Sequence, residues 1–397
     1  MTNKYFILLT AILILQIANI FAQTSPYNIS NINNYPSDKI TNITDLCFID
    51  VNTGFLTGYY YQNSQNLFGY LYKTTNSGIN WVKLWKPWFQ PYTNKFSVSF
   101  ANANTGYLMM RTLKDMYYTT NGGANFTTYF ISDLPDPNED QILTTNSNGN
   151  LFVIRKEKNH ICKYSYPFQY GNNSRYNFDP SIKLLHMEIS KTSDVIYVCG
   201  RKHPEYHPFL AKSTDGGATY STILDFDGNN DTYDISSLFH MSIINNGSGD
   251  IIKISGANKL IEYNSVLNNV TILSSSWAEG RKITFSDANN GFYMNADITS
   301  DEPPIELGNS AIYRTTNNGQ NWLQSFSSTT GSLSLPNRFY SFGNVVYFTQ
   351  SNDNLQAYFY SRNLSKALAT YQDNILTSGS FKINNNPYTT TNSYIIR

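Results

Sequence analysis

Apolar positions along this chain come in short bursts. Asn150-Leu151-Phe152-Val153-Ile154, Asp250-Ile251-Ile252-Lys253-Ile254, Val345-Val346-Tyr347-Phe348 and Ala357-Tyr358-Phe359-Tyr360 are examples. Each is short and rich in β-branched or aromatic side chains, and the stretches between bursts are rich in Asn, Ser and Gly. Runs of this length and composition predict strands. No helical periodicity of useful length follows residue 22, so the expected class is all-β. The exception is the N-terminus. Residues Tyr5 to Ala22 are apolar except for Thr10, Gln16 and Asn19; Lys4 precedes them and Gln23-Thr24-Ser25 follows. A basic start, an apolar middle and a small residue before a polar stretch predict a secretory signal over 1–22, leaving 23–397 as the mature domain. An uncleaved anchor is the alternative, since the run approaches the ~20 residues of a membrane span. No later segment is apolar enough to cross a bilayer. The expected location is therefore exported: periplasmic, cell-surface or extracellular.

Four segments align without gaps: Thr74-Thr75-Asn76-Ser77-Gly78-Ile79-Asn80-Trp81, Thr119-Thr120-Asn121-Gly122-Gly123-Ala124-Asn125-Phe126, Ser213-Thr214-Asp215-Gly216-Gly217-Ala218-Thr219-Tyr220 and Thr315-Thr316-Asn317-Asn318-Gly319-Gln320-Asn321-Trp322. The shared pattern is [ST]-x-[DN]-x-G-x-x-[WFY]. Its chemistry is that of a tight hairpin. Asp or Asn accepts backbone N–H groups of its own turn, Gly takes the positive φ that side chains avoid, and the aromatic opens the next strand and covers the turn. These are folding devices, so Asn76, Asn121, Asp215 and Asn317 are read as structural. A second motif precedes three of the four, in Phe48–Phe55, Phe100–Tyr107 and Phe285–Phe292: a strand end, a turn closed by Gly, and an aromatic opening the next strand.

One repeat thus reads strand a, Asn-Gly turn, strand b, loop, strand c, capped turn, strand d. The capped turn resembles the Asp-box, or BNR, repeat of sialidases and related propellers. The whole unit is similar to exported propellers related to the photosystem II assembly and stability factor family. That resemblance spans most of the mature chain and is sharpest in repeats 1, 2 and 6.

The capped turns start at 74, 119, 213 and 315. The two later gaps are each about twice the first, which places one degenerate repeat inside each, over Ile142–Tyr166 and Met241–Leu273. A further unit follows over Phe342–Tyr371. Units of ~40–50 residues suit propeller blades. The expectation is a single β-propeller of about seven four-stranded blades, with six or eight as variants and an open β-solenoid as the alternative fold. Closure of the ring falls to Ser378–Ile396 or to Tyr27–Ile40.

Composition narrows the partners. Among 397 residues, 28 are basic and 28 acidic, and charged residues make up 14%. A balanced chain projects no broad field, which argues against nucleic acid and anionic lipid as partners. Three cysteines, Cys47, Cys162 and Cys199, match no zinc spacing. They read as small buried side chains, with a Cys162–Cys199 bridge as the sharper alternative.

In a propeller the a–b and c–d turns share one face, and the b–c and d-to-a loops share the other. Long variable loops, where sites are usually grafted, therefore lie on the second face. Trp85, Trp88 and Tyr92 there suit stacking on a sugar or peptide. His203, Glu205 and His207 alternate along an extended segment, a weak metal or ligand pattern. The b–c loop of the sixth repeat, Ala296–Ser310, reads as an insertion. Asp225, Asp227 and Asp231 form a weak calcium candidate, because Ile223 stands where a first carboxylate belongs and no Glu closes the loop. Three functions follow: a binding or assembly module for a protein or carbohydrate partner with no chemistry of its own, a glycoside hydrolase-like enzyme, or an adhesin or matrix-associated protein. The first is preferred. The resemblance to sialidases is weakened by the missing Phe/Tyr-Arg-Ile-Pro motif and by the lack of any Arg in the first repeat.

Overall fold

The apolar bursts become the middle strands of blades, where both faces are covered. The computed structural model describes residues 27–31, 42–63, 66–85, 96–110, 115–130, 141–156, 159–165, 173–204, 207–225, 237–257, 259–274, 282–298, 307–328, 339–342, 345–351, 357–363, 375–376 and 395–396. Among these, seven four-stranded sheets are present, all antiparallel. Blades 1 to 6 cover 42–85, 96–130, 141–177, 182–225, 238–274 and 282–328, each in simple a-b-c-d order. Blade 7 combines Tyr340–Phe342, Val345–Ser351 and Ala357–Asn363 with Tyr27–Asn31 as its outermost strand. Inner strands of consecutive blades touch, and blade 7 returns to blade 1. There Tyr347 stacks on Phe48 at 4.0 Å and donates its hydroxyl to the Val51 carbonyl. Of the two closure candidates, Tyr27–Asn31 is the one used. Ile395–Ile396 instead pairs with Ile375–Leu376.

The core lies between blades rather than at one centre. Five apolar clusters fill the seams 1/2, 2/3, 3/4, 4/5 and 5/6. Successive residues of a strand face opposite sides. In strand b of blade 3, Leu151 and Val153 enter the 2/3 seam while Phe152 and Ile154 enter the 3/4 seam. Burial on both faces explains the unbroken apolar bursts in place of alternation. The cysteines are buried thiols, none of them in a disulfide. Cys162 belongs to the 2/3 seam and Cys199 to the 4/5 seam, so the bridge considered from sequence is absent.

The four capped turns share one geometry. Thr74, Thr119 and Thr315 each donate to the Asn Oδ1 two residues on, at 2.9–3.0 Å, and accept the Gly N–H four residues on, at 2.9–3.0 Å. The Asn Oδ1 also accepts the N–H of Asn80, Asn125 or Asn321. Ser213 and Asp215 repeat the arrangement, with Thr219 donating both N–H and hydroxyl to Asp215. The residue before each Gly also has positive φ: Ser77 60°, Gly122 70°, Gly216 69° and Asn318 60°. The unspecified position of the motif is therefore restricted to residues that tolerate the left-handed region.

Asp215 is the one carboxylate among these caps. Hydrogen bonds from Thr219 first, then from Ser213 and the Ala218 amide, hold it well below the usual carboxylate range. A lowered folded-state value means that its stabilising contribution is complete above about pH 4 and fades as pH falls further. Asp215→Asn keeps the acceptor seen in the other three turns. It loses the Thr219 hydroxyl bond to Oδ2, and is expected to lower neutral-pH stability modestly and to flatten the acid limb of an unfolding titration below pH 4. An acid limb identical to that of the unaltered protein counts against the cap.

The turn closed by Gly in the second motif has a different cause from the capped turn. Gly54, Gly106 and Gly291 are absent from the positive-φ residues. Each begins strand b directly beneath the aromatic of strand a. A Cβ on Gly54 would lie 2.6 Å from the Phe48 ring, and one on Gly291 would lie 2.6 Å from Phe285. The requirement is space for a ring, not backbone conformation. The b–c insertion of blade 6 is also shorter than expected, because the ladder continues to the pair Ile298 and Leu307.

Candidate functional site: the central channel

Strand a of each blade has one edge without a strand partner, and these edges line the channel. Unpaired N–H groups at such an edge need acceptors. Side chains of the preceding blade supply them. Asp45 Oδ2 accepts the Val98 N–H at 2.9 Å, and Cys47 Sγ accepts that of Phe100 at 3.3 Å. His186 Nδ1 accepts the Met241 N–H at 3.3 Å. His240 Nδ1 accepts that of Ile283 at 3.5 Å, and Ser242 Oγ that of Phe285 at 2.8 Å. Thr284 and Ser341 join their hydroxyls at 2.9 Å. Alternate polar residues just before the a–b turn thus seal the inner seams.

Between blades 4 and 7 this lining encloses a cavity of about 310 Å³. Its lining includes the polar residues Glu188, Lys191, His240, Ser242, Thr284 and Tyr340 and the apolar residues Met241, Ile243, Ile283, Phe285 and Phe339. The cavity sits at the a–b turn end of the channel. Lys191, in the a–b turn of blade 4, reaches Ile49 in the a–b turn of blade 1 and donates to its carbonyl at 3.3 Å. Below it, Asp250 accepts Ser190, Ser193 and Tyr197 hydroxyls at 2.7, 3.0 and 3.1 Å, tying blade 4 to blade 5. Burial, and then the charge of Asp250, pushes the Tyr197 phenol above its ordinary range. These bonds tie the walls of the pocket to one another, and its lining carries hydroxyl side chains and one carboxylate, Glu188.

The residues singled out from sequence lie elsewhere. Trp85 ends strand d of blade 1. Trp88, Tyr92, Glu205, Asp227 and Asp231 lie outside the described residues. His203 and His207 flank the b–c loop of blade 4, and the His203 N–H donates to Ser181 O at 2.7 Å. Asp225 ends strand d of that blade, where Lys202 binds its carboxylate at 3.0 Å. That ion pair already engages the first carboxylate of the calcium candidate. Among the described residues no group of three or more His, Cys, Asp or Glu is placed to hold a metal ion. No described helix is long and apolar enough to cross a membrane. Sequence reasoning missed His186, Glu188, His240 and Ser242. Their signal was available in the alternation His186-x-Glu188 and His240-x-Ser242, which repeats Asp45-x-Cys47.

No protein-family model and no curated protein sequence matches the chain. Solved structures resemble it in fold. YCF48 bound to a D1 peptide has a TM-score of 0.55 at 16% identity, over 86% of this chain and 98% of that one. YCF48 from Cyanidioschyzon merolae has 0.53 at 12%, over 85% and 99%. A streptogramin B lyase has 0.54 at 9%, over 85% and 98%. Identities this low establish architecture alone: the chain is a β-propeller.

Proposed function

We propose that this chain is an exported propeller that binds a protein partner and acts as an assembly module. The observation that carries this reading is how the inner strands use their polar side chains. Asp45, Cys47, His186, His240 and Ser242 are engaged in closing seams between blades, which suits a stiff ring that presents surfaces. The fold shared with a YCF48 bound to a D1 peptide supports the same reading. The partner docks on the loop-rich face, the face to which the repeat pattern of the sequence assigns Trp85, Trp88, Tyr92, His203 and His207.

Aromatic residues grafted on a rigid scaffold make interface anchors. Quantitative pull-down with the mature chain from envelopes of the producing cell is expected to enrich one protein. Trp88→Ala is expected to weaken its capture at least tenfold, as loss of a hot-spot aromatic does. Binding confined to a glycan array, with no protein enriched, would replace the proposal with a carbohydrate-binding reading.

A further inference from the structure

Two histidines occupy equivalent positions in neighbouring blades, and one of them, His240, lines the channel cavity. His186 and His240 are 3% and 4% exposed, and their rings stand 3.8 Å apart at 35°. Each uses Nδ1 to accept a backbone N–H from the next blade. An imidazole nitrogen that accepts carries no proton, so both rings are the neutral Nε2–H tautomer. A proton added to Nδ1 would face the amide hydrogen of Met241 or Ile283, donor against donor. A second proton would place two cations in stacked rings.

We propose that this pair is an acid-sensitive latch. Protonation opens the inner seams 4/5 and 5/6 and with them the wall of the cavity. Once a seam opens to water its imidazole takes up a proton near pH 6.5, so acid below that pH favours the opened form. The charged and titratable groups on the surrounding elements are Lys183 and Glu188 on strand a of blade 4, and Tyr197, Cys199, Arg201 and Lys202 on its strand b. Asp250 and Lys253 lie on strand b of blade 5, Lys282 on strand a of blade 6, and Lys191 in the adjoining turn. Glu188 Oε1 lies 3.8 Å from His186 Nε2, beyond hydrogen-bond reach. It favours a first proton on His186, so the Met241 amide loses its acceptor before that of Ile283. Asp45 holds the same place in blade 1 and seals seam 1/2 with a carboxylate, whose ordinary titration lies near pH 3.9. Seam 1/2 is therefore an internal control.

The test is amide hydrogen exchange of the mature chain between pH 7.5 and 5.5, corrected for intrinsic rates. Protection at Met241 and Ile283 is expected to fall at least tenfold over that range, while Val98 keeps its protection. Equal behaviour of all three amides overturns the proposal. Replacing both histidines by Asn supplies an acceptor that does not titrate, and the pH dependence of Tm between 7.5 and 5.5 should then flatten. A variant that folds and keeps the full dependence also overturns it. Should the variant not fold, the exchange measurement on the unaltered chain decides.

Discussion

Lys253→Ala is expected to destabilise the protein by about 3 kcal/mol or more, the usual result of removing one partner from a buried ion pair. Lys253 is fully buried in strand b of blade 5. Its ammonium bonds to Glu262 on the neighbouring strand and to Asn318 in the capped turn of blade 6, and it lies 5.4 Å from the centre of the Phe285 ring. Burial pulls its proton affinity down, and the Glu262 carboxylate works against that fall. Alanine strands Glu262 and the Asn318 side chain together, and leaves a void under Phe285. The paired change Lys253→Met with Glu262→Leu removes both charges and keeps apolar volume, so it should be much less harmful than Lys253→Ala alone. Urea unfolding of the three proteins measures both effects. A Lys253→Ala midpoint indistinguishable from that of the unaltered chain would show that the pair is not structurally coupled.

Gly106→Ala should be nearly as damaging, at about 3 kcal/mol, the upper end for overpacking a closed core. The new methyl would collide with the Phe100 ring. That ring cannot move aside, because it stacks on Phe55 of blade 1 at 3.4 Å and lies in the 1/2 seam. Its backbone N–H is also held by Cys47. Adding Phe100→Leu to Gly106→Ala should restore part of the loss by freeing volume over the strand. Were the clash unimportant, Gly106→Ala would behave as an ordinary strand substitution, within about 0.5 kcal/mol of the unaltered protein.

Much of the architecture could be read from residues because each blade is a local structure. The capped turns announce themselves through Thr74, Asn76 and Gly78 and their equivalents, whose bonds all lie within five residues. Equal spacing then yields the blade count, including blades 3 and 5. In blade 5 the motif has given way to Asn264, which accepts the Val266 and Leu267 amides instead. What escaped the sequence is what depends on distant partners. Tyr27–Asn31 is only five residues and its partner strand Ala357–Asn363 lies at the other end of the chain, so the sequence named it as one of two closure candidates without choosing between them. The channel was missed for a related reason. His186 and His240 resemble any buried histidine until the edge amides of the next blade are placed against them. The glycines of the second motif were found, but the sequence showed no reason for them, since the ring that crowds each one is placed only by the fold.

The N-terminal strand of blade 7 also sets a timetable. Blades 1 to 6 are each contiguous in sequence, so they can form as they emerge. The segment from Tyr27 to Asn31 has nothing to pair with until Ala357–Asn363 has been made and delivered. A growing or threading chain therefore carries an open arc whose first-made end stays unclaimed until the last blade arrives.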